Sequence, residues 1–233
     1  MPTIIAPAKL TVSLRVTGVR DDGYHLIDAE MVTLDFHDTL EITEGNGLEI
    51  VGSDPLVDAG DDNLVRRALR LAGREAHVRL TKEIPAGAGL GGGSADAAAV
   101  LRWAGFTDLD DAAALGADIA FCLVGGRARV KGIGEIVEPL GFEPRIYTLV
   151  TPPFGCSTPA VYAAWDEMGS PSGDNGNDLE PAAIRVEPRL VEWRDKLEAE
   201  THCRPRLAGS GSTWFVEGDF AQAGRVVTTT PVG

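Results

Sequence analysis

The amino-acid sequence predicts an α+β fold, and three observations carry that expectation. Strand-like and helix-like segments are interspersed without the regular strand–helix period of a doubly wound parallel sheet. An apolar fraction of 44% and a charged fraction of 24% over 233 residues belong to a globular chain with a substantial core. A glycine-rich run from Pro85 to Ala95 passes directly into an alanine-rich stretch, which marks a loop-to-helix junction.

The elements follow in order. Leu10, Val12, Leu14 and Val16 alternate with Thr11, Ser13 and Arg15, the period-two pattern of a strand with one apolar face. Residues 17–23, rich in Gly and Asp, read as a turn. Met31 to Phe36 and Thr39 to Ile42 read as strands, with a break at His37-Asp38. Asn63 to Ala72 reads as a helix, with Leu64, Ala68 and Leu71 on one face and Gly73 as its stop. A short strand over Val78 to Leu80 leads into the glycine run. Ala95 to Ala104 and Asp110 to Leu115 read as helices. Arg127 to Val130 and Ile136 to Leu140 form a hairpin around Gly132 and Gly134. Ile146 to Val150 is a buried strand stopped by Pro152-Pro153. Residues 170–177 read as a loop, Pro188 to Ala199 as a helix and Thr213 to Val216 as a strand. A domain boundary near Gly141 divides the chain into residues 1–140 and 141–233.

The net charge of -14 argues against nucleic acid and anionic membranes as partners. An anionic ligand then needs a site built locally from backbone N–H groups and a few placed cations. No apolar stretch is long enough to span a bilayer, and Met1 to Leu10 lacks the pattern of a secretion signal. Three widely spaced cysteines, Cys122, Cys156 and Cys203, suggest free thiols in a reducing cytoplasm.

Five motifs carry chemistry. The first is Pro85-Ala86-Gly87-Ala88-Gly89-Leu90-Gly91-Gly92-Gly93-Ser94-Ala95. Its glycines permit close backbone approach, and the N-terminus of the following helix is a ready anion site. Ser94 adds a hydroxyl for a phosphate or its metal ion. No Gly-Lys-Ser/Thr closes the run, so it is not a P-loop. No strand ending in an acidic residue follows, so it is not the dinucleotide fingerprint. The second is Lys9, early in the first strand; the alternative for a lone strand lysine is a solvated edge residue. The third is Asp118 in Leu115-Gly116-Ala117-Asp118-Ile119, a carboxylate among small and apolar neighbours that reads either as a base or as a helix cap. The fourth is Asp22-Gly23-Tyr24-His25, a turn presenting an aromatic face and an imidazole, or a tyrosine packed under a turn. The fifth is Leu207-Ala208-Gly209-Ser210-Gly211-Ser212, which could close over a phosphate or form only a tight turn.

In this order the motifs resemble those of the GHMP kinases. Pro7-Ala8-Lys9-Leu10 with Asp22-Gly23-Tyr24-His25, Asp61 to Val65, Leu115 to Asp118, Gly132 to Glu135, Ser157-Thr158-Pro159 with Val161-Tyr162, and Asn177 to Glu180 are similar to the branch that acts on a cytidine-diphosphate-linked methylerythritol. The resemblance runs from about Ile4 to Val216. It implies a two-lobed α+β fold with the site between the lobes, and ATP-dependent phosphorylation of the acceptor's 2-hydroxyl in non-mevalonate isoprenoid biosynthesis.

The resemblance also implies roles. Asp118 would take the hydroxyl proton, with Lys9 beside it. Pro85, Ala86, Gly87, Ala88, Gly89, Leu90, Gly91, Gly92, Gly93, Ser94 and Ala95 would wrap the ATP phosphates, with Asn63 and Lys82 near the nucleotide. Tyr24 and Tyr162 would sandwich the cytosine ring, His25 would bond its edge, and Thr11 would touch the acceptor. ATP and Mg²⁺ are the expected cofactors, and the expected state is a monomer or weak homodimer in the cytoplasm. Thr11 stands where the family usually has Asn, Ala95 replaces a common Ser, and Ala208 a common Ser or Thr. The alternatives are a GHMP kinase acting on mevalonate, homoserine or a sugar, and a nucleotide-binding module without turnover.

Overall fold

A pair of long antiparallel strands organises the first sheet in the computed structural model, which describes residues 2–52 and 58–231. Strand β1 (Thr3–Val19) pairs with β2 (His25–Thr43) along nearly its whole length. The turn expected over residues 17–23 is shorter, because β1 runs on to Val19 before the chain reverses. The break expected at His37-Asp38 does not occur. Pro7 and Ala6 of β1 pair with His37 and Asp38, and β2 continues through them. Asp38 is fully buried there, its Oδ1 accepting from the N–H groups of Glu83 (2.5 Å) and Ile84 (2.8 Å), so a polar residue that looked like a break is satisfied inside the structure.

The other side of β2 carries further strands end to end. Residues 39–43 pair with β4 (His77–Thr81), which lies parallel to β3 (Gly47–Val51). Residues 27–32 pair with β5 (Arg127–Gly132), which forms the expected hairpin with β6 (Ile136–Pro139).

Register shifts at Pro7/Lys9 and at Thr11/Ser13 change the simple alternation of β1. Each bulge turns the following side chains to the other face. Ala8, Leu10 and Val12 therefore join the apolar cluster between the two sheets, whereas Ala6 and Leu14 join the cluster beneath the helices. The single apolar face expected over Leu10 to Val16 is thus divided. Lys9 and Thr11, between the bulges, are buried on the opposite side from Leu10.

Four helices cover the first sheet. Helix α1 (Leu64–Leu71) is capped by Asn63, whose side chain accepts from the N–H of Val65. Helix α2 (Gly92–Ala104) starts before the expected Ala95, so Gly92, Gly93 and Ser94 form its first turn. It packs on β1 and β2 between α1 and α4 (Ile119–Val124), with α3 (Leu109–Leu115) alongside. Ala97, Ala98, Val100 and Leu101 are fully buried in this contact. Small alanines let the helix lie close to the sheet, and a buried leucine contributes about 1.5–3 kcal/mol.

The second sheet runs in the order β10 (Arg225–Thr228), β7 (Ile146–Val150), β9 (Trp214–Glu217), β8 (Arg206–Leu207). Helices α5 (Thr158–Glu167) and α6 (Glu180–Val186) were not assigned from the sequence, and Pro159 and Pro181 fall within them. Both prolines occupy the first turn, where no backbone N–H is needed. Helix α7 is Leu190–Thr201. Tyr147, Leu149, Phe215 and Val227 of this sheet meet Leu10, Val32 and Leu34 of the first, with Ile84, Ala88 and Leu90 of the glycine run between them. No helix among the described residues is long and apolar enough to cross a membrane.

Candidate active site

The glycine run lies between the two sheets and is tied to both. Leu90 O accepts from the N–H of Lys9 at 3.0 Å, Ala88 O from the N–H of Thr213 at 3.0 Å, and Gly87 O from the N–H of Cys156 at 3.3 Å. Two glycines are required by contact as well as by conformation. At Gly89 (φ +77) a Cβ would lie 2.5 Å from Ala208 O and 2.7 Å from Gly211 O. At Gly91 (φ +67) it would lie 2.7 Å from Lys9 Cγ. Gly91 is the N-cap of α2, and no side chain caps the helix. The first-turn N–H groups, which have no partners within the helix, therefore remain available to an anion. A cavity of about 500 Å³ opens here, lined by residues 84–94 together with Asn63, Leu64, Lys82, Asp96 and Asp118.

Lys9 and Asp118 meet. Lys9 Nζ is 3.1 Å from Asp118 Oδ2 and donates to Thr11 Oγ1 at 3.0 Å. The lysine side chain is 6% exposed and that of Asp118 30%, so the carboxylate opens to solvent while its cation is enclosed. Asp118 occupies the N-cap position of α4, yet its side chain makes no capping bond. Its place depends on the β5–β6 turn: a Cβ on Gly134 would lie 2.3 Å from Ala117 O, so the bare glycine lets that turn rest on the residue before Asp118.

A second cavity, of about 600 Å³, lies on the other side of Asp118. Lys9, Thr11, Tyr24, His25, Tyr162 and Asp166 line it. Gly89, Ser94, Asp118 and Thr158 line both cavities, so the glycine loop and the carboxylate stand where the two spaces join. In the second cavity His25 Nε2 is 2.9 Å from Asp166 Oδ1, and the His25 ring lies on Tyr162 with centroids 4.5 Å apart. Tyr162 is largely enclosed; burial, with the Asp118 carboxylate adding to it, pushes its phenol well above the usual range. Tyr24 is 58% exposed at the rim, with the Arg20 guanidinium 5.4 Å from its ring centre.

Apart from Ala95, which is buried in the core under α2 and lines neither cavity because its side chain turns to the sheet side of the helix's first turn, the sequence-derived residues collect around two joined cavities, with two refinements. Asn63 lines the loop cavity, but its amide is engaged: Oδ1 caps α1 and Nδ2 donates to Asp58 O at 2.7 Å. Lys82 also lines the loop cavity, and its ammonium is held between the carboxylates of Asp38 and Asp96, the latter at 2.7 Å. Burial works against the Lys82 charge, and Asp96 and Asp38 more than offset it, so its pKa is raised. Burial pushes Asp96 up to about 7, with Lys82 opposing and Asp38 reinforcing the shift. Among the described residues Asp96 Oδ1 has no hydrogen-bond partner.

Asp38 and Asp166 escaped sequence reasoning, and Asn177, Asp178, Thr158 and Ser210 stood in the quoted motifs without an assigned contact. Asp38 was hidden by its reading as a strand break. Asp166 is one helical turn beyond Tyr162, and that spacing could have paired it with whatever Tyr162 faces. Asn177 Nδ2 donates to Leu207 O (2.9 Å) and Gly209 O (2.7 Å), which fixes the Gly209–Ser210 turn over the site. Asp178 accepts from Arg15 Nη1 and the N–H of Val16, which joins the same segment to β1. Thr158 and Ser210 share a hydrogen bond of 2.8 Å at the cavity wall.

Comparison with known proteins agrees with this geometry. Residues 63–126 match the GHMP kinases N terminal domain. The chain is 41% identical over 243 residues to a 4-diphosphocytidyl-2-C-methyl-D-erythritol kinase of Paracoccus denitrificans, covering 94% of this chain and 86% of that protein. It is 39% identical to the enzyme of the same name from Cereibacter sphaeroides, covering 95% and 90%. A crystal structure of 4-(cytidine 5'-diphospho)-2C-methyl-D-erythritol kinase superposes with a TM-score of 0.77 at 31% identity over the whole of both chains. From its motifs, its joined cavities and these likenesses together, the chain belongs to the GHMP kinases, in the branch of the 4-diphosphocytidyl-2-C-methyl-D-erythritol kinases.

Proposed function

We infer that this protein is an ATP-dependent kinase that phosphorylates the 2-hydroxyl of 4-diphosphocytidyl-2-C-methyl-D-erythritol, a step of non-mevalonate isoprenoid biosynthesis. The observation that carries the reading is the Lys9–Asp118 pair at the junction of a phosphate-type glycine loop and an aromatic-lined cavity. In our reading Asp118 accepts the proton as the 2-hydroxyl oxygen forms its bond to the γ-phosphorus and the bond to ADP breaks. Lys9, held by Thr11, offsets the charge on both oxygens and keeps Asp118 oriented. The N–H groups of the glycine loop receive the phosphates, with Ser94 adding a hydroxyl. Tyr24, His25 and Tyr162 receive the cytosine end, and Asp166 fixes the imidazole. The lobe of residues 1–140 would contribute most of the nucleotide site, and that of residues 141–233 would close the acceptor side.

Mg²⁺ fits this donor set. The described residues hold no cluster of three or more His, Cys, Asp or Glu side chains suited to a metal. Magnesium in phosphoryl-transfer sites commonly relies on one or two carboxylates plus the substrate's own phosphates and water. Asp118, the carboxylate lining both cavities, is suited to that part, and the ion would neutralise developing charge on the phosphates. We further propose a monomer or weak homodimer working in the cytoplasm on a small-molecule acceptor.

The test is ADP release with ATP, Mg²⁺ and the cytidine-linked acceptor, run beside mevalonate and homoserine. Turnover confined to the first acceptor supports the reading. Turnover with either of the others, or binding of ATP with no turnover at all, rejects it.

A further inference from the structure

A third cavity, of about 340 Å³, lies against the glycine loop, sharing Pro85 and Leu90 with the loop cavity and no residue with the cavity that holds Lys9 and Tyr162. Its origin is topological. Strands β9 and β10 both run antiparallel to β7 and flank it, so they are parallel to each other and joined by a crossover. Parallel crossovers usually take about a dozen residues or more and carry a helix. Here residues 218–224 make the link without one. It hugs the sheet so closely that a Cβ on Gly224 would lie 2.3 Å from Leu149 O. Space that a crossover helix would fill is left between this link, helix α7 and the back of the loop.

The lining is not bland. Arg225 lies over the Phe36 ring, 4.2 Å from its centre, and Lys196 lies 5.9 Å from the centre of Trp193. Neither cation has an acidic partner within ion-pair distance among the described residues, although most arginines of this strongly acidic chain do. Leu149, Val150 and Leu90 supply apolar wall, and Glu83 supplies one negative charge at the edge. Two cations held on aromatic faces beside an apolar recess match a ligand with a flat apolar body and an anionic group.

We propose that this cavity binds a small aromatic or similarly flat apolar anion, at a site that shares the Pro85 and Leu90 wall with the nucleotide cavity and no lining residue with the acceptor cavity. The ligand rests on Pro85 and Leu90, and Leu90 O holds the N–H of Lys9. The cavity wall is thus one backbone hydrogen bond away from Lys9. The proposal does not depend on the identity of the kinase's acceptor.

The experiment is calorimetric titration of the whole protein with naphthalene-1-sulfonate, in the presence of saturating ADP to fill the glycine loop. Naphthalene-1-methanol serves as the uncharged control. Saturable binding of the sulfonate is expected, weakened about tenfold in the Lys196→Ala/Arg225→Ala double variant and by raising salt to about 0.5 M. Both substituted side chains belong to exposed residues, and an unchanged melting temperature confirms that the variant is folded. A second variant, Ala223→Trp, fills the cavity from the link and should abolish binding. Loss of the signal when ADP is present, equal affinity in the double variant, equal affinity for the uncharged control, or no binding at all would each overturn the proposal.

Discussion

Lys9 Nζ stands 3.1 Å from Asp118 Oδ2, joining the first strand to the start of a six-residue helix. Neither residue is informative alone. Together, one enclosed and one half-open, they make a proton acceptor whose charge is balanced at the point where two cavities meet.

That pairing sets the first expectation. Asp118→Asn should lower kcat by ~10²-fold or more with little change in ATP affinity, the usual contribution of a general base. Lys9→Met should also lower kcat. The double variant should be little worse than the poorer single one, since groups acting as a unit are not additive. Full multiplication of the two losses would mean that they act independently.

The glycine loop offers a contrast between neighbours. Gly91→Ala places a Cβ 2.7 Å from Lys9 Cγ in a left-handed conformation, where an L residue costs about 1–2 kcal/mol. It should displace Lys9 and cut turnover by ~10-fold or more. Gly93→Ala meets only Leu64 Cδ1, at an ordinary 3.5 Å, and should keep most activity. Steady-state kinetics on the two variants would separate crowding of Lys9 from a general intolerance of side chains in the loop.

Tyr24 is an exposed rim residue, so Tyr24→Ala should leave the melting temperature unchanged. Loss of base stacking, worth ~1–3 kcal/mol, should raise KM for the cytidine-linked acceptor roughly tenfold while KM for ATP stays put. An unaltered acceptor KM would remove Tyr24 from the cytosine site. Asp166→Ala should give a smaller rise, because it frees the His25 ring without removing it.

Asp96 predicts a pH effect on stability. Burial raises its folded pKa to about 7, above the ordinary carboxylate value. The folded protein therefore keeps a proton that the unfolded chain has already released. The stability this contributes is complete below about pH 4 and is lost as pH rises through about 7. Asp96→Asn removes the titration. The melting temperature of the variant relative to the wild type should thus be more favourable at about pH 8 than at about pH 5. A difference that does not change with pH would show that Asp96 does not titrate in this range.

Legibility in the sequence followed the range of the physics. The glycine loop was legible because glycine and a helix start are local signals, and the hairpin around Gly132 and Gly134 because turn chemistry is local too. The start of α2 was misplaced by three residues, since Gly92 and Gly93 are poor helix formers held helical by packing. Helices α5 and α6 went unassigned; each carries a proline in its first turn, where the usual penalty for proline vanishes. Asp38 was misread because a buried carboxylate looks like a break until its donors, Lys82 and two backbone N–H groups far along the chain, are brought to it.

Composition, periodicity and motif order in the sequence alone determined the α+β class, the anion-binding loop and the kind of residues expected to do chemistry. Tertiary structure alone decided which of them meet. The bulges of β1 turn Lys9 and Thr11 to one face, the Gly134 turn supports the residue before Asp118, and the short link after β9 opens a cavity that no local pattern announces. The physical reason is that burial, ion pairing and the filling of space depend on contacts between residues distant in the chain. Those energies exist only once the chain has folded.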